Sequence, residues 1–183
     1  MKAVLDACVL YPTVLREILT GAAAAGLFQP VWSARILAEW RHAAARLGPD
    51  DAAVAGADIA LLTDRFPEAS VPDDGSAALG VDWPDPADRH VAEAALAAGA
   101  PLIVTANLRD FPRRATAALG LSAVHPDAFL IDLHHRAPDP VAQIVAATHA
   151  RARAVGGPVA LRDLMARARL PRLAKALARA ASP

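Results

Sequence analysis

Apolar residues in this chain fall either in short continuous runs or in longer stretches with helical spacing. Lys2 to Leu10 is an apolar run broken by Asp6 and bounded by Tyr11-Pro12, the length of a buried strand. Thr13 to Ala25 reads as a helix that stops at Gly26, and Phe28 to Trp32 as a short extended piece. Ser33 is placed to cap a helix running to about Arg46, before Gly48-Pro49. A further helix is expected over Asp51 to Asp64. Val71 to Pro84 is loop-like, with Ala77 to Val81 as a candidate short strand. Asp85-Pro86-Ala87-Asp88 is a helix start, with Asp85 as cap, Pro86 in the first position and Asp88 in the first turn. That helix should end at Gly99. Pro101 to Thr105 is then a buried strand with Ala106 to Pro112 at its C-terminal end. The alternation predicts an α/β fold, a parallel sheet flanked by helices, with ligand sites gathered at the carboxyl ends of the strands. Beyond it, Pro138 to Ala154, Leu161 to Ala168 and Pro171 to Ala181 read as short helices separated by Gly156-Gly157-Pro158 and Leu170-Pro171.

Composition narrows this picture. The 183 residues fit one ordinary domain with a small appendage, and 55% hydrophobic with only 4% aromatic content points to a helix-rich globule. Cys8 is the sole cysteine, which excludes an intramolecular disulfide and a multi-cysteine zinc site and agrees with a reducing compartment. No apolar stretch reaches the roughly 20 residues of a spanning helix, so a cytoplasmic protein without membrane contact is expected. The net charge of zero conceals an asymmetry. Residues 1–135 hold 10 Lys and Arg against 17 Asp and Glu, a balance of −7, whereas residues 136–183 hold 9 against 2, a balance of +7. A nucleic-acid partner is therefore compatible with the neutral total, although arginines on small helices also serve simply as solvated faces.

Four acids in four separate segments, Asp6, Glu39, Asp88 and Asp110, are the candidates for chemistry. A carboxylate inside an apolar strand, as at Asp6, is costly unless a cation, a helix N-terminus or a metal compensates it. The other three have ordinary readings. Glu39 follows Arg35 by four residues, a pair worth about 0.2–0.5 kcal/mol on an exposed helix. Asp88 favours a helix N-terminus by about 0.3–1 kcal/mol. Asp110 can open the turn before Phe111-Pro112. Together the four match the oxygen-rich donor set that Mg²⁺ or Mn²⁺ takes, with phosphodiester hydrolysis as the natural reaction class.

Flanking residues decide between these readings. Leu5-Asp6-Ala7-Cys8-Val9-Leu10-Tyr11-Pro12, Trp32-Ser33-Ala34-Arg35-Ile36-Leu37-Ala38-Glu39, Asp85-Pro86-Ala87-Asp88-Arg89-His90-Val91 and Ile103-Val104-Thr105-Ala106-Asn107-Leu108-Arg109-Asp110-Phe111-Pro112 resemble, in order, the motifs of PIN-domain nucleases. The likeness is greatest to VapC-like toxins of bacterial type II toxin-antitoxin pairs. It covers roughly residues 1–130, and the segment from His125 onward resembles the C-terminal extension of one PIN-toxin subgroup. The resemblance implies a PIN-like nuclease domain over residues 1–130 and a C-terminal helical extension over 131–183. It implies an endoribonuclease dependent on Mg²⁺ or Mn²⁺, leaving a 5′-phosphate and a 3′-hydroxyl. Asp6, Glu39, Asp88 and Asp110 would hold the metal, with Asn107 and Thr105 assisting. A cognate antitoxin and a homodimer are implied in the same way. Arg89, Arg109, Arg113 and Arg114 are the candidates for RNA contact, followed by the arginine-rich tail.

Two positions depart from the family pattern. Asn107 stands where the fourth acid is expected, so Asp110 is expected to supply the missing charge. Cys8 stands where many relatives carry a polar residue, and a thiol there is expected to pack as a small apolar group. Asn107 also motivates an alternative, a catalytically weak PIN-like module that binds RNA or protein. Other enzymes with an acid at a strand end are disfavoured. A haloacid-dehalogenase-like phosphatase needs an Asp at position 8, a response-regulator receiver needs a late lysine where the chain has only Lys2 and Lys175, and no Gly-rich strand-to-helix turn is present for a dinucleotide. His90 reads as supporting or structural rather than a ligand, and His134-His135 as a surface or interdomain pair.

Overall fold

The computed structural model describes residues 1–73, 78 and 80–180. Its strands are the short apolar runs of the sequence. β1 (Lys2–Leu5), β2 (Gln29–Ser33), β3 (Ser70–Val71), β4 (Leu102–Val104) and β5 (Ser122–Val124) form one five-stranded sheet in the order β3-β2-β1-β4-β5. Every neighbouring pair is parallel, with Val4 level with Val31 on one side and Ile103 on the other. This is the expected α/β architecture. β1 lies in the centre, so its carboxyl end has a neighbouring strand end on each side.

Only the first half of the Lys2 to Leu10 run is strand. Asp6 is extended, at φ −66° and ψ 153°, and α1 (Ala7–Leu10) follows it at once. The N–H groups of Val9 and Leu10 both donate to the Asp6 carbonyl, at 3.0 and 3.2 Å. A short apolar run buried on all sides carries no period that separates strand from helix, so the turn at Asp6 is a correction that the structure supplies.

The caps behaved as the sequence indicated. Ser33 Oγ accepts from the Ile36 N–H at 3.3 Å and starts α3 (Ala34–Ala45), which pairs with α4 (Pro49–Arg65). Asp85 Oδ1 accepts from Ala87 N–H at 2.8 Å, although Pro86–Asp88 is a 3₁₀ turn and α5 (Arg89–Ala98) begins only after it. Gly99 ends α5 in the left-handed region, φ 61°, which a residue with a Cβ adopts only with strain. The candidate strand at Ala77 to Val81 includes positions outside the described residues. α6 (Arg113–Ala118) and β5 carry no clear sequence signal, because they are only six and three residues long.

The chain divides into two compact units. The first comprises Met1–Tyr11 and Phe28–Val124, the second Pro12–Leu27 and His125–Pro183. In the first, Ala3, Val4, Leu5, Val31, Trp32, Ile103 and Val104 of the sheet are buried together with Ile36 and Trp40 of α3 and Val91, Ala92 and Ala95 of α5. The second is all helical: α2 (Thr13–Ala24), α7 (Pro126–Arg136), α8 (Pro138–Gly156), α9 (Leu161–Arg167) and α10 (Pro171–Ala180). There α2 and α8 approach closely at Gly21, where an added Cβ would meet Ile144 Cγ2 at 2.7 Å. Asp127, buried in the first turn of α7, accepts the N–H groups of Arg172 and Leu173, each at 3.0 Å, and so caps α10 from another helix. Among the described residues no helix is long and apolar enough to cross a membrane.

Candidate active site

Leu5 of β1 is level with Val104 of β4, so the next residue of each strand, Asp6 and Thr105, emerges at the carboxyl edge of the sheet side by side. The Asp6 N–H extends the ladder to Val104 O at 3.2 Å, and the Thr105 N–H to Val124 O at 3.0 Å. Both residues are buried. The Thr105 hydroxyl donates to Asp6 Oδ2 at 2.7 Å and accepts from the Asn107 N–H at 3.0 Å. One hydroxyl thus fixes the first acid and shapes the loop that carries the fourth.

Cys8 differs from its expected role as an apolar filler. Its thiol donates to the same Asp6 oxygen at 3.0 Å, lies 3.4 Å from Thr105 Oγ1, and accepts from the Ala106 N–H at 3.2 Å. Burial, then the Asp6 charge and the hydrogen bond to it, push the thiol up to about 12. It therefore stays protonated near neutrality and serves as a donor, not as a nucleophile.

Glu39 stands half-buried on α3. Arg35 Nε lies 3.6 Å from its Oε1, the i,i+4 pair read from the sequence, while Arg35 Nη2 donates to the Ala87 carbonyl at 3.1 Å. Arg35 thereby ties the helix of the second acid to the turn of the third. From the buried side, His90 Nε2 reaches 2.8 Å from the same Glu39 oxygen.

Asp88, half-buried at the end of the 3₁₀ turn, shows that the acids act on one another. Burial, followed by the charges of Asp110, Asp6, Asp85 and Glu39, raises its carboxyl from 3.8 to about 6. The four predicted acids therefore share one field, joined by Asp85, although among the described residues no three acidic, histidine or cysteine side chains form a closed ligand set. Their donors are hard oxygens of the kind a divalent cation takes. A carboxyl that binds its proton more tightly when folded contributes stability in full below pH 3.8 and loses it as pH rises through 6. Asp88→Asn is accordingly expected to raise the Tm of the metal-free protein at pH 7.5, and less at pH 4.5. Solvent screening at a half-exposed group limits the gain to about 1 kcal/mol, or roughly 2–4 °C. Thermal melts of both proteins at the two pH values, in chelator, check the sign; a Tm that falls at pH 7.5 would contradict it.

At the fourth place Asn107 and Asp110 form a pair. Asn107 Nδ2 donates to Asp110 Oδ2, and the Asp110 N–H to the Asn107 carbonyl. Asp110 is the first of the charges that lift Asp88, ahead of Asp6 and Glu39. Arg109, Arg113 and Arg114 are exposed. Arg89 is engaged instead by the buried Glu93, 3.1 Å from its Nε. A cavity of about 600 Å³ opens on Leu108, Phe111, Arg113, Thr116, Ala117 and Ser122, from the loop after β4, α6 and β5. The partners that sequence reading missed are Glu93 and Asp73. Glu93, four residues after Arg89, was legible as an i,i+4 pair; Asp73, in an irregular segment, was not.

Comparison with known proteins is consistent with this geometry. The family described as PIN domain matches residues 2–109, more than half of the chain. A protein of Mycobacterium tuberculosis (strain ATCC 25618 / H37Rv) named "Putative ribonuclease VapC50" is 49% identical over 45 residues, 25% of this chain and 27% of that protein. The chain thus spans about a quarter of the length of the curated relative it matches. No solved structure matches it.

Proposed function

Since the chain belongs to the PIN domain family, we propose that it is a metal-dependent endoribonuclease of the cytoplasm, the toxin of a toxin-antitoxin pair. The observation that carries this reading is the gathering of Asp6, Glu39, Asp88 and Asp110 at the carboxyl edge of a parallel sheet, where burial and then the charges of the other acids raise Asp88 to about 6. Acids from four distant segments that repel one another are a stability cost, and a cation between them removes it. Asp6, Glu39, Asp88 and Asp110 would hold Mg²⁺ or Mn²⁺, with the Asn107 amide oxygen as a neutral supplement. The bound ion supplies Lewis-acid polarisation of the phosphate and a more acidic water.

The protein's own groups orient these participants. Thr105 and Cys8 hold the Asp6 carboxylate through Oδ2. Arg113 and Arg114 occupy the first turn of α6, where the helix dipole disfavours cations, so local stability does not account for them. Together with Arg109 they suit the RNA backbone, which phosphate contacts position without specifying sequence. Arg89 serves this role only if RNA displaces it from Glu93. The cavity lined by Leu108 and Phe111, which bracket Asp110 in the chain, is the natural place for a base of the RNA. Ala117→Trp, which narrows that cavity from an exposed position, is expected to change the bases flanking the cut while leaving the Tm unchanged. Sequencing of RNA ends generated by the two proteins checks this, and an identical cleavage pattern would remove the cavity from the substrate path.

Metal-dependent cleavage of RNA by the purified protein, growth arrest on expression, and relief by an adjacent antitoxin gene test the reading as a whole. Mn²⁺-independent RNA affinity without cleavage would favour the catalytically weak module that Asn107 motivates. Homodimerisation, proposed on family likeness alone, is tested by light scattering of the purified chain.

A further inference from the structure

Three buried polar atoms in a row lie behind Glu39. His90, in the first turn of α5, is buried, with Nε2 2.8 Å from Glu39 Oε1 and Nδ1 4.0 Å from Asp73 Oδ2. The 2.8 Å approach is off the N–H axis. Among the described residues neither ring nitrogen nor Asp73 Oδ2 has an aligned hydrogen-bond partner. Buried polar atoms are normally satisfied, so an imidazole flanked by two carboxylates is poorly explained as filler, which Leu would provide without desolvating two nitrogens. Arg35, the other group on Glu39, is half-exposed and 3.6 Å away, too loose to fix a carboxylate by itself.

We propose that His90 is a positioning residue: its Nε2–H holds the Glu39 carboxylate toward the acidic centre, and Asp73 steadies the ring from behind. This rests on the reading of Glu39 as an acid of the metal site. With its proton on Nε2 the ring serves the nearer carboxylate, Glu39, at 2.8 Å, while Nδ1 faces Asp73 across 4.0 Å. α5 thus presents two functional residues in succession, Asp88 at its entrance and His90 one step inside, the second acting through an acid on another helix. Partners of this kind fix a ligand's rotamer, and their loss typically weakens metal affinity about 10–100-fold.

The test uses the full chain with His90→Leu, His90→Gln and Glu39→Gln. In metal-free protein, the ¹³C resonance of the Glu39 carboxyl is expected to move in His90→Leu and to stay near its wild-type position in His90→Gln, whose amide keeps a donor. The ¹⁵N resonance of His90 Nε2 should shift in Glu39→Gln, a measurement that stands even if His90→Leu does not fold. Mn²⁺ titration should show at least about 10-fold weaker binding in His90→Leu, near-wild-type binding in His90→Gln, and no further loss when His90→Leu is added to Glu39→Gln. Unmoved Glu39 and His90 resonances overturn the proposal, as does an equal loss of Mn²⁺ affinity with and without the Glu39 carboxylate. If the wild type binds no Mn²⁺ the metal-site reading fails instead, and the resonances still decide whether His90 holds Glu39.

Discussion

Asp6→Asn is expected to lower RNA cleavage at least roughly 100-fold, the scale on which removing one electrostatic group from a reacting centre acts. The fold should survive it, because an Asn carbonyl oxygen can still accept from the Thr105 hydroxyl that now bonds Asp6 Oδ2 at 2.7 Å. What is lost is the charge at the carboxyl edge of the central strand, the one acid of the four with both Thr105 and Cys8 directed at it. Asp50→Asn is the matched control, an exposed acid in the first turn of α4, and should cleave as the wild type does. Purified proteins are compared on a defined RNA in Mn²⁺, with end sequencing to locate the cuts. Equal rates for Asp6→Asn and wild type would show that cleavage, if present, occurs elsewhere.

Asp127→Ala should give the largest loss of stability. The buried carboxylate accepts two backbone N–H groups at the start of α10, and its removal leaves both without their acceptor. Losing a cap costs about 0.5–2 kcal/mol, and bonds to a charged group are worth about 1.5–3 kcal/mol each. A combined loss of about 3 kcal/mol follows, since part of the burial cost of the charge is recovered. Asp127→Asn, with one acceptor oxygen, should fall between the two. Urea unfolding gives the magnitude, and protease sensitivity beginning near Pro171 should precede global unfolding in the Ala variant. A protein as stable and as protease-resistant as wild type would mean that α10 is held by its apolar face, through Leu173, and not by the cap.

Much of the fold was legible where local chemistry is decisive. Ser33, Asp85 and Gly99 each do at a helix end what their side chains, or the lack of one, permit anywhere. The acids were legible as an ordered set with their flanking motifs, whereas Glu39, Asp88 and Asp110 singly had adequate surface explanations. Hidden from the sequence were the relations that require the sheet to be assembled. Cys8 becomes a donor to Asp6 only because the chain turns into α1 immediately after it. Asp73 meets His90 only when α5 packs beside the segment after β3. The register that puts Asp6 beside Thr105, 99 positions on, is likewise a property of strand pairing alone. The pairing of Arg89 with Glu93, by contrast, is local to α5 and legible from the i,i+4 spacing alone.

The interleaving of the two units has a consequence for synthesis. α2 leaves the ribosome early, yet Gly21 meets Ile144 of α8, a residue 123 positions later. At the usual elongation rate of about 5–20 residues per second, the apolar face of α2 waits roughly 6–25 s for that partner. Four of the five strands, β2 to β5, and the acids Glu39, Asp88 and Asp110 emerge within that interval. Trimming the chain after Val124 would therefore not yield a self-sufficient catalytic fragment. It would leave Leu15, Ile18 and Leu19 permanently in the state they occupy only in passing on the nascent chain.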